Sequence, residues 1–215
     1  MRRKKSLFVT FEGIEGSGKS YQIKQLYKNL KKKNISVLLT REPGGTKSAE
    51  KIRDLILDDY FNWDSKEKFD KYTDTLLYLA ARNEHVKNKI EPALKKNRIV
   101  ICDRFIDSTT AYQVHGKGVN KNFIDIIHKH ILNETKPDLT FILKVNLKKA
   151  KKRLNKRKKK NRYDKFSKKF YSKAQNAFIK IAKKNKRKYF IVDNSDDSKE
   201  TERIIFDRFL KRLKI

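Results

Sequence analysis

The stretch that decides the fold reads Gly13-Ile14-Glu15-Gly16-Ser17-Gly18-Lys19-Ser20. It matches the pattern G-x-x-x-x-G-K-[ST], in which glycines let backbone N–H groups curl around phosphate oxygens. In that pattern the lysine reaches the outer phosphates of a bound nucleotide, and the hydroxyl binds Mg²⁺. We therefore predict an ATP site over residues 13–20, with Lys19 as a catalytic cation and Ser20 as a magnesium ligand.

The residues on either side of this loop supply the context that the motif requires. Residues 6–12 are apolar enough for a buried strand, and apolar residues recur at helical spacing over residues 19–30. A strand before the loop and a helix after it place the phosphates at a helix N-terminus, whose partial positive charge favours anions. The context therefore argues against a chance match.

The rest of the chain alternates apolar runs with helical patterns. Further strands are predicted at residues 35–40, 98–103, 139–145 and 189–192, and helices at 48–57, 70–94, 108–114, 122–132, from 147, from 170 and at 201–213. Strands that are apolar on both faces and alternate with helices indicate a parallel sheet covered on both sides. We predict a three-layer α/β fold and one domain spanning residues 1–215.

The composition is strongly basic. Lys and Arg number 56 against 25 Asp and Glu, a formal net charge of +31, and residues 144–188 hold 22 of the basic residues with one acid, Asp164. Such charge drives sequence-independent binding to nucleic acids. However, the run is rich in lysine, has few interleaved aromatics and matches no DNA- or RNA-binding motif. A nucleic-acid-binding ATPase is the weaker alternative, and we expect no specific nucleic-acid partner.

The single cysteine and the N-terminus bear on location. Cys102 follows an apolar run and excludes an internal disulfide, so we expect a buried strand residue and a reducing compartment. A cleaved signal peptide would destroy the nucleotide site that begins at Gly13. No apolar stretch approaches the length of a membrane span. We expect a cytoplasmic protein with no membrane partner.

Two further features concern ligands. The seven glycines fall in three loops, at residues 13–18, 44–45 and 116–118, where backbone must take positive φ or approach a ligand. The third loop is equally compatible with an ordinary turn. Asp103 ends the third predicted strand, where an acid commonly supports the Mg²⁺ of such loops, although it could instead cap the next helix. His128 and His130 would face different sides of a helix, so we expect no metal site there.

Four segments together resemble the bacterial thymidylate kinase family. They are Phe11-Glu12-Gly13-Ile14-Glu15-Gly16, Arg41-Glu42-Pro43-Gly44-Gly45-Thr46, Asp103-Arg104-Phe105 with Ser108-Thr109-Thr110-Ala111-Tyr112-Gln113, and Pro137-Asp138-Leu139-Thr140. The resemblance extends over nearly the whole chain. It implies a five-stranded parallel sheet of order 2-3-1-4-5, and phosphoryl transfer from ATP to dTMP with Mg²⁺ on the route to dTTP. Another nucleoside monophosphate or deoxynucleoside kinase is the nearest alternative.

The resemblance also implies the residues of the acceptor site. Arg104 would hold the 5′-phosphate of dTMP, and Glu15 would contact the sugar 3′-hydroxyl. Tyr78 would stack on thymine, and Arg82, one helical turn later, would hydrogen-bond the base edge. Thr109 would also meet the base, and Tyr112 would crowd the ribose 2′ position. Glu42 and Pro43, joined by a candidate cis bond, would shape the pocket wall. Gln113 is a further implied dTMP-binding residue. Taken alone, Tyr78 and Tyr112 would be core residues.

The basic segment aligns with the lid of that family, at about residues 153–166. Gly16 stands where another type of the family has a catalytic arginine, so the resemblance implies that the lid supplies the transition-state arginine. The candidates are Arg157 and Arg162, since a guanidinium can bridge phosphoryl oxygens. Asn161 and Asp164 depart from the family pattern, which has an acid before the lid arginine and often Glu after it. The resemblance also suggests a homodimer.

Overall fold

A five-stranded parallel sheet lies at the centre of the computed structural model, which describes residues 6–57, 69–158, 162–196 and 198–213. The strands are β1 (Leu7–Glu12), β2 (Val37–Arg41), β3 (Ile99–Asp103), β4 (Leu139–Lys144) and β5 (Tyr189–Asp193). Their spatial order is β2-β3-β1-β4-β5, and every pairing is parallel. The α/β fold and the strand order inferred from the sequence are therefore confirmed.

Helices cover both faces of the sheet. They are α1 (Lys19–Lys32), α2 (Lys47–Leu57), α3 (Lys71–His85), α4 (Glu91–Lys95), α5 (Ile106–Thr109), α6 (Lys121–Ile131), α7 (Leu147–Asn155), α8 (Lys168–Lys184) and α9 (Lys199–Leu213), with π-helical turns at Val86–Ile90 and Thr110–Gly116 and a 3₁₀ turn at Arg162–Lys165. In β1, Val9 faces a core shared with α1 and α9, whereas Phe8 faces a second core on the opposite side. A strand buried on both faces needs two such layers.

The second strand is less buried than its apolar sequence predicts. Residues 35–40 read as a buried strand, but β2 is only half-buried along its length. The reason is its place at one edge of the described sheet, where it pairs with β3 alone. Hydrophobic periodicity identifies a strand but not its position in the sheet.

The long helix predicted at residues 70–94 is present but changes its geometry part-way. Asp70 is its N-cap and accepts a hydrogen bond from the Tyr72 N–H at 2.7 Å. The π-helical turn then separates α3 from α4, whose first turn contains Pro92. Proline has no N–H to donate to the preceding turn and is tolerated only where a helix begins. The wider turn places Pro92 at such a start.

The helix after β3 begins at Ile106 rather than at residue 108 as predicted. The Glu12 carboxylate, at the end of β1, accepts the N–H groups of Phe105 at 2.7 Å and of Ser108 at 3.2 Å. These bonds satisfy donors that a helix N-terminus leaves unpaired. Glu12 lies 93 residues away in the chain from Phe105, so no local pattern could reveal it.

Two other observations concern Cys102 and membrane spans. Cys102 is a fully buried strand residue with a free thiol, as predicted. Among the residues that the structure describes, no helix has both the length and the apolar character needed to cross a bilayer.

Candidate active site

The loop at residues 13–18 joins the end of β1 to the start of α1. The Lys19 side chain turns back into the loop, and its Nζ donates to the carbonyl oxygens of Gly13 and Ile14, both at 3.0 Å. Burial, together with the positive charge of Arg104, lowers the pKa of Lys19 to about 8. The lysine is thus a buried cation inside the loop, in the position that the motif predicts.

Ser20 and Asp103 meet beside this loop, because β1 and β3 are neighbours in the sheet. The Ser20 hydroxyl donates to Asp103 Oδ2 at 3.0 Å. The other carboxylate oxygen, Oδ1, is buried and has no hydrogen-bond partner among the described residues. An orphaned carboxylate oxygen next to a hydroxyl suits a hard cation such as Mg²⁺. The pair therefore fits the predicted magnesium site.

One cavity opens at the carboxyl ends of β1, β2 and β3, where α/β folds bind their ligands. Most of the predicted site residues line it: Glu15, Lys19, Ser20, Glu42, Pro43, Tyr78, Arg82, Asp103, Arg104, Thr109, Tyr112, Gln113 and Arg157. The remaining residues of the phosphate loop, Gly13, Ile14, Gly16, Ser17 and Gly18, are not among its lining residues. Nor is Arg162, which binds elsewhere. The fold thus brings the predicted phosphate and acceptor residues to one place.

Arg104 is held in a strained conformation at the floor of the cavity. Its φ is 72°, a left-handed value that non-glycine residues rarely adopt outside functional sites. The guanidinium donates to Gly13 O at 2.9 Å, Ser108 Oγ at 3.0 Å and Glu15 Oε1 at 2.8 Å. Burial alone would lower the pKa of Arg104, but Glu15 raises it well above its usual range. The side chain is therefore a fixed, permanent cation.

Glu15 completes this part of the site. Its second oxygen accepts the Tyr112 hydroxyl at 2.5 Å. Burial alone would raise the pKa of Glu15, but Arg104, Lys19 and Tyr112 hold it below the usual value. Each carboxylate oxygen has a second lone pair. Glu15 can therefore still accept a ligand hydroxyl while it orients Arg104.

Arg82 is almost completely buried and has four protein acceptors. Its Nε donates to Glu42 Oε2 at 2.7 Å, Nη1 to Thr109 Oγ1 at 2.7 Å and to His128 Nε2 at 2.8 Å, and Nη2 to Phe105 O at 3.0 Å. Burial and the charge of Arg82 lower the pKa of His128 to about 3, so this imidazole is neutral and accepts. Arginine carries five N–H donors. One Nη2 donor thus has no acceptor among the described residues, in a side chain that lines the cavity.

Comparison with known proteins identifies the family. The thymidylate kinase family profile matches residues 11–205. The chain belongs to the thymidylate kinase family. It is 38% identical over 205 residues to a thymidylate kinase of Sulfurihydrogenibium sp. strain YO3AOP1, covering 95% of this chain and 97% of the relative. It is 46% identical over 180 residues to that of Wolbachia pipientis wMel, covering 82% and 85%.

A solved structure agrees with this assignment. The crystal structure of thymidylate kinase from Ehrlichia chaffeensis superposes with a TM-score of 0.73 at 33% sequence identity, covering 95% of this chain and 99% of that one. The resemblance to the thymidylate kinase family that the sequence motifs suggested is confirmed.

Sequence reasoning missed several residues of this family member's site. Arg53 lines the cavity and donates to Pro43 O at 2.6 Å, beside a Glu42–Pro43 bond that is cis. No sequence pattern marked it, since Leu57, four residues later, is also known as a lining residue only from the structure. His85, at the end of α3, was also missed. Its ring forms hydrogen bonds with Thr40 Oγ1 of β2 at 2.6 Å and with Glu42 Oε1, just after that strand, at 3.1 Å.

Arg153 was also missed as a link between the phosphate loop and the segment that follows β5. It donates to Gly16 O at 3.0 Å, and to Asn194 O at 2.9 Å and Ser195 O at 3.0 Å. The Asn194 amide in turn donates to Ser17 O at 2.7 Å. These bonds fix the Gly16 and Ser17 carbonyls of the loop.

Gly16 has no room for any side chain. Its φ is 73°, and a Cβ would lie 2.6 Å from the backbone oxygen of Ala150 in α7. Gly118 has a similar φ of 70° but nothing within 4 Å of its Cβ position. Comparing alanine substitutions at Gly16 and Gly118 therefore separates the cost of the left-handed backbone from the cost of the steric clash with Ala150.

We expect Gly16→Ala to lower the free energy of unfolding by about 1–3 kcal/mol more than Gly118→Ala, since overpacking adds to the left-handed strain. Urea unfolding of both variants measures the difference. If both variants lost the same free energy of unfolding, α7 could shift to accommodate a side chain at residue 16, and its packing would not require glycine there.

Proposed function

We propose that this chain transfers the terminal phosphoryl group of ATP to dTMP, forming ADP and dTDP. The observation that carries the proposal is the single Arg82 N–H that has no acceptor among the described residues, in a side chain that lines the cavity. Four protein acceptors fix the guanidinium, so this donor has one direction. Thymine presents an acceptor, O4, on the edge where cytosine presents an amino group. The Arg82 N–H can therefore donate to thymine O4, whereas the amino group of cytosine would place a second donor against it.

The rest of the cavity suits a deoxynucleoside monophosphate. Arg104 offers a permanent cation for the 5′-phosphate, 2.8 Å from the Glu15 oxygen that would receive the 3′-hydroxyl. Tyr78 gives an aromatic surface for the base. The Tyr112 ring lies 5.2 Å from the Arg104 guanidinium, and its hydroxyl is tied to Glu15. A 2′-hydroxyl would have to enter this filled space.

Catalysis would rest on positioning and charge neutralisation. The acceptor oxygen already belongs to an anionic phosphate, so the reaction needs no strong general base. Lys19 would meet the outer phosphates of ATP and Arg104 the acceptor phosphate, which holds the two anions in line. Ser20 and Asp103 would hold Mg²⁺, whose chemistry is to neutralise charge on the phosphate oxygens.

We assign the lid arginine of the reaction to Arg157 rather than to Arg162. Arg157 lines the cavity and is 43% exposed, with its guanidinium 3.0 Å from Asp164 Oδ1. A partly exposed arginine can move to the transferring phosphoryl group. Arg162 instead binds the buried carboxylate of Asp74. We therefore expect Arg157→Ala to reduce kcat and leave the affinity for dTMP little changed.

We also propose a homodimer and a cytoplasmic location. Large apolar side chains are exposed on three neighbouring helices: Leu55 on α2 (40%), Leu76 on α3 (47%) and Ile126 on α6 (61%). A dimer interface that covers these three helices would bury all three side chains. Sedimentation equilibrium measures the mass in solution. The free, buried thiol of Cys102 and the need for ATP support the proposed location, and cell fractionation tests it.

The test is ADP release with a panel of acceptors. We expect dTMP to exceed dCMP in kcat/KM by about 5- to 160-fold, since a lost base-edge hydrogen bond costs roughly 1–3 kcal/mol. Faster turnover of dCMP or AMP than of dTMP would assign another monophosphate kinase. ATP hydrolysis that depends on added DNA, with no transfer to dTMP, would favour the nucleic-acid-binding ATPase.

A further inference from the structure

Three side chains stand in a row on one face of α3. Asp74, Tyr78 and Arg82 are spaced four residues apart, so they project from the same side of the helix at successive turns. Tyr78 and Arg82 line the cavity. Asp74 lies one turn before them and is 1% exposed, and neither the phosphate chemistry nor base recognition uses it.

Asp74 binds two cations that come from distant parts of the chain. Its Oδ2 accepts from Lys117 Nζ at 2.6 Å, in the loop after the second π-helical turn. Its Oδ1 accepts from Arg162 Nη2, at the start of the 3₁₀ turn in the lid. The three groups are largely buried, with side chains 1%, 21% and 12% exposed for Asp74, Lys117 and Arg162. Removing the carboxylate would leave two cations facing each other out of water.

The residue after Arg162 reaches the cavity. Tyr163 is 6% exposed, and its hydroxyl lies 2.5 Å from that of Tyr78. Its ring meets the Tyr112 ring edge-on, with centroids 5.7 Å apart, and the Arg162 guanidinium lies 5.2 Å from the Tyr163 ring. The Tyr171 hydroxyl donates to the Tyr163 carbonyl. Because Arg162 and Tyr163 are neighbours in the chain, a contact that fixes Arg162 also restrains Tyr163 against the Tyr78 and Tyr112 side chains of the acceptor site.

We propose that Asp74 is a positioning residue that fixes the lid over the acceptor site. By binding Arg162 it holds Tyr163 across the cavity, next to the Tyr78 ring, and so keeps water from the transferring phosphoryl group. One helix face would then carry the lid anchor, the base platform and the base-edge donor in successive turns. The substrate in this inference rests on the function proposed above, whereas the anchoring of the lid does not.

The experiment compares Asp74→Asn with Asp125→Asn. The control removes the same charge from a helical aspartate that binds Lys121 on the surface, with both side chains more than half exposed. We expect Asp74→Asn to lower kcat/KM for dTMP by about 100-fold, the scale of a small misplacement of reacting groups. We also expect it to raise the share of ADP released without dTDP. Asp125→Asn should change neither quantity.

Hydrogen exchange provides a readout that does not depend on the substrate. Without any nucleotide, the amides of residues 162–166 should exchange at least about tenfold faster in Asp74→Asn, while those of α1 keep their rates. Arg162→Gln should reproduce both effects. The double variant should be no worse than either single one, because the two side chains act through one contact.

Three results would overturn the anchor. One is a folded Asp74→Asn protein with normal lid exchange and a normal ratio of dTDP to ADP, even if its melting temperature falls. Another is a loss of kcat/KM in the Asp74→Asn, Arg162→Gln double variant that equals the sum of the two single losses in free energy. If Asp74→Asn does not fold, unchanged exchange in Arg162→Gln overturns it equally. An unaltered protein that does not phosphorylate dTMP would refute the proposed substrate, and the exchange data would still decide on Asp74.

Discussion

Lys19→Met should lower kcat by about 100- to 1,000-fold, the scale on which a single preorganised donor to a transition-state charge contributes. Lys19 is a buried cation whose Nζ donates to the Gly13 and Ile14 carbonyls. An ammonium has three N–H donors, so one would remain for the phosphates of ATP. Methionine keeps the length and apolar body of the side chain but removes the charge. Steady-state kinetics with saturating ATP and dTMP measure the loss.

The matched control is Lys24→Met. Lys24 lies on the same helix, α1, and is exposed. The chemical change is identical, and the residue is not among those that line the cavity. Its kcat should remain within about twofold of the unaltered protein, as is usual for surface substitutions. Near-normal kcat in Lys19→Met would mean that the loop binds nucleotide without taking part in transfer.

The second large effect is expected for Arg82→Met, which should lower the free energy of unfolding by about 3–5 kcal/mol. Arg82 and Glu42 form an ion pair in which both side chains are 3% exposed. Without the guanidinium, the Glu42 carboxylate stays buried with His85 as its remaining partner, and Thr109 and His128 lose their donor. Urea unfolding followed by circular dichroism measures the change.

An exposed ion pair in the same protein provides the contrast. Lys121→Met breaks the pair with Asp125, where the two side chains are 60% and 52% exposed. The loss there should stay below about 1 kcal/mol, since solvent screens the pair. If the two variants lost equal stability, burial would not be what makes the Arg82 pair important. The surviving folded Arg82→Met protein should also discriminate poorly between dTMP and dCMP.

Local patterns were sufficient for the phosphate loop. Residues 13–20 are contiguous, and the strand and helix that flank them have clear periodicities. The geometry of such a loop depends mainly on its own backbone, so the sequence predicts Lys19 in its place. The acceptor residues were different, because Tyr78 and Tyr112 alone read as core residues. Only the resemblance to a family assigned them roles.

What the residue order could not show is how distant groups restrict one another. The four acceptors of Arg82 lie 23 to 46 residues away from it in the chain. They belong to the loop after β2, the residues between β3 and α5, the helix α5 and the helix α6. The sequence therefore offered no reason to place His128 beside Arg82. For the same reason the sequence offered two equivalent lid arginines, whereas the structure has Arg162 on Asp74 and Arg157 at the cavity.

The sequence by itself determined the phosphate loop, the parallel α/β architecture and the family, because each depends on contiguous motifs or on the period of apolar residues. The tertiary structure alone decided which donors remain available to a ligand. Hydrogen-bond capacity at a buried site is what the surrounding acceptors leave unused, and those acceptors meet only after the chain has folded. Gly16 shows the difference: the motif leaves its position unspecified, and only the structure, in which the Ala150 carbonyl of α7 lies 2.6 Å from the missing Cβ, explains why no side chain can stand there.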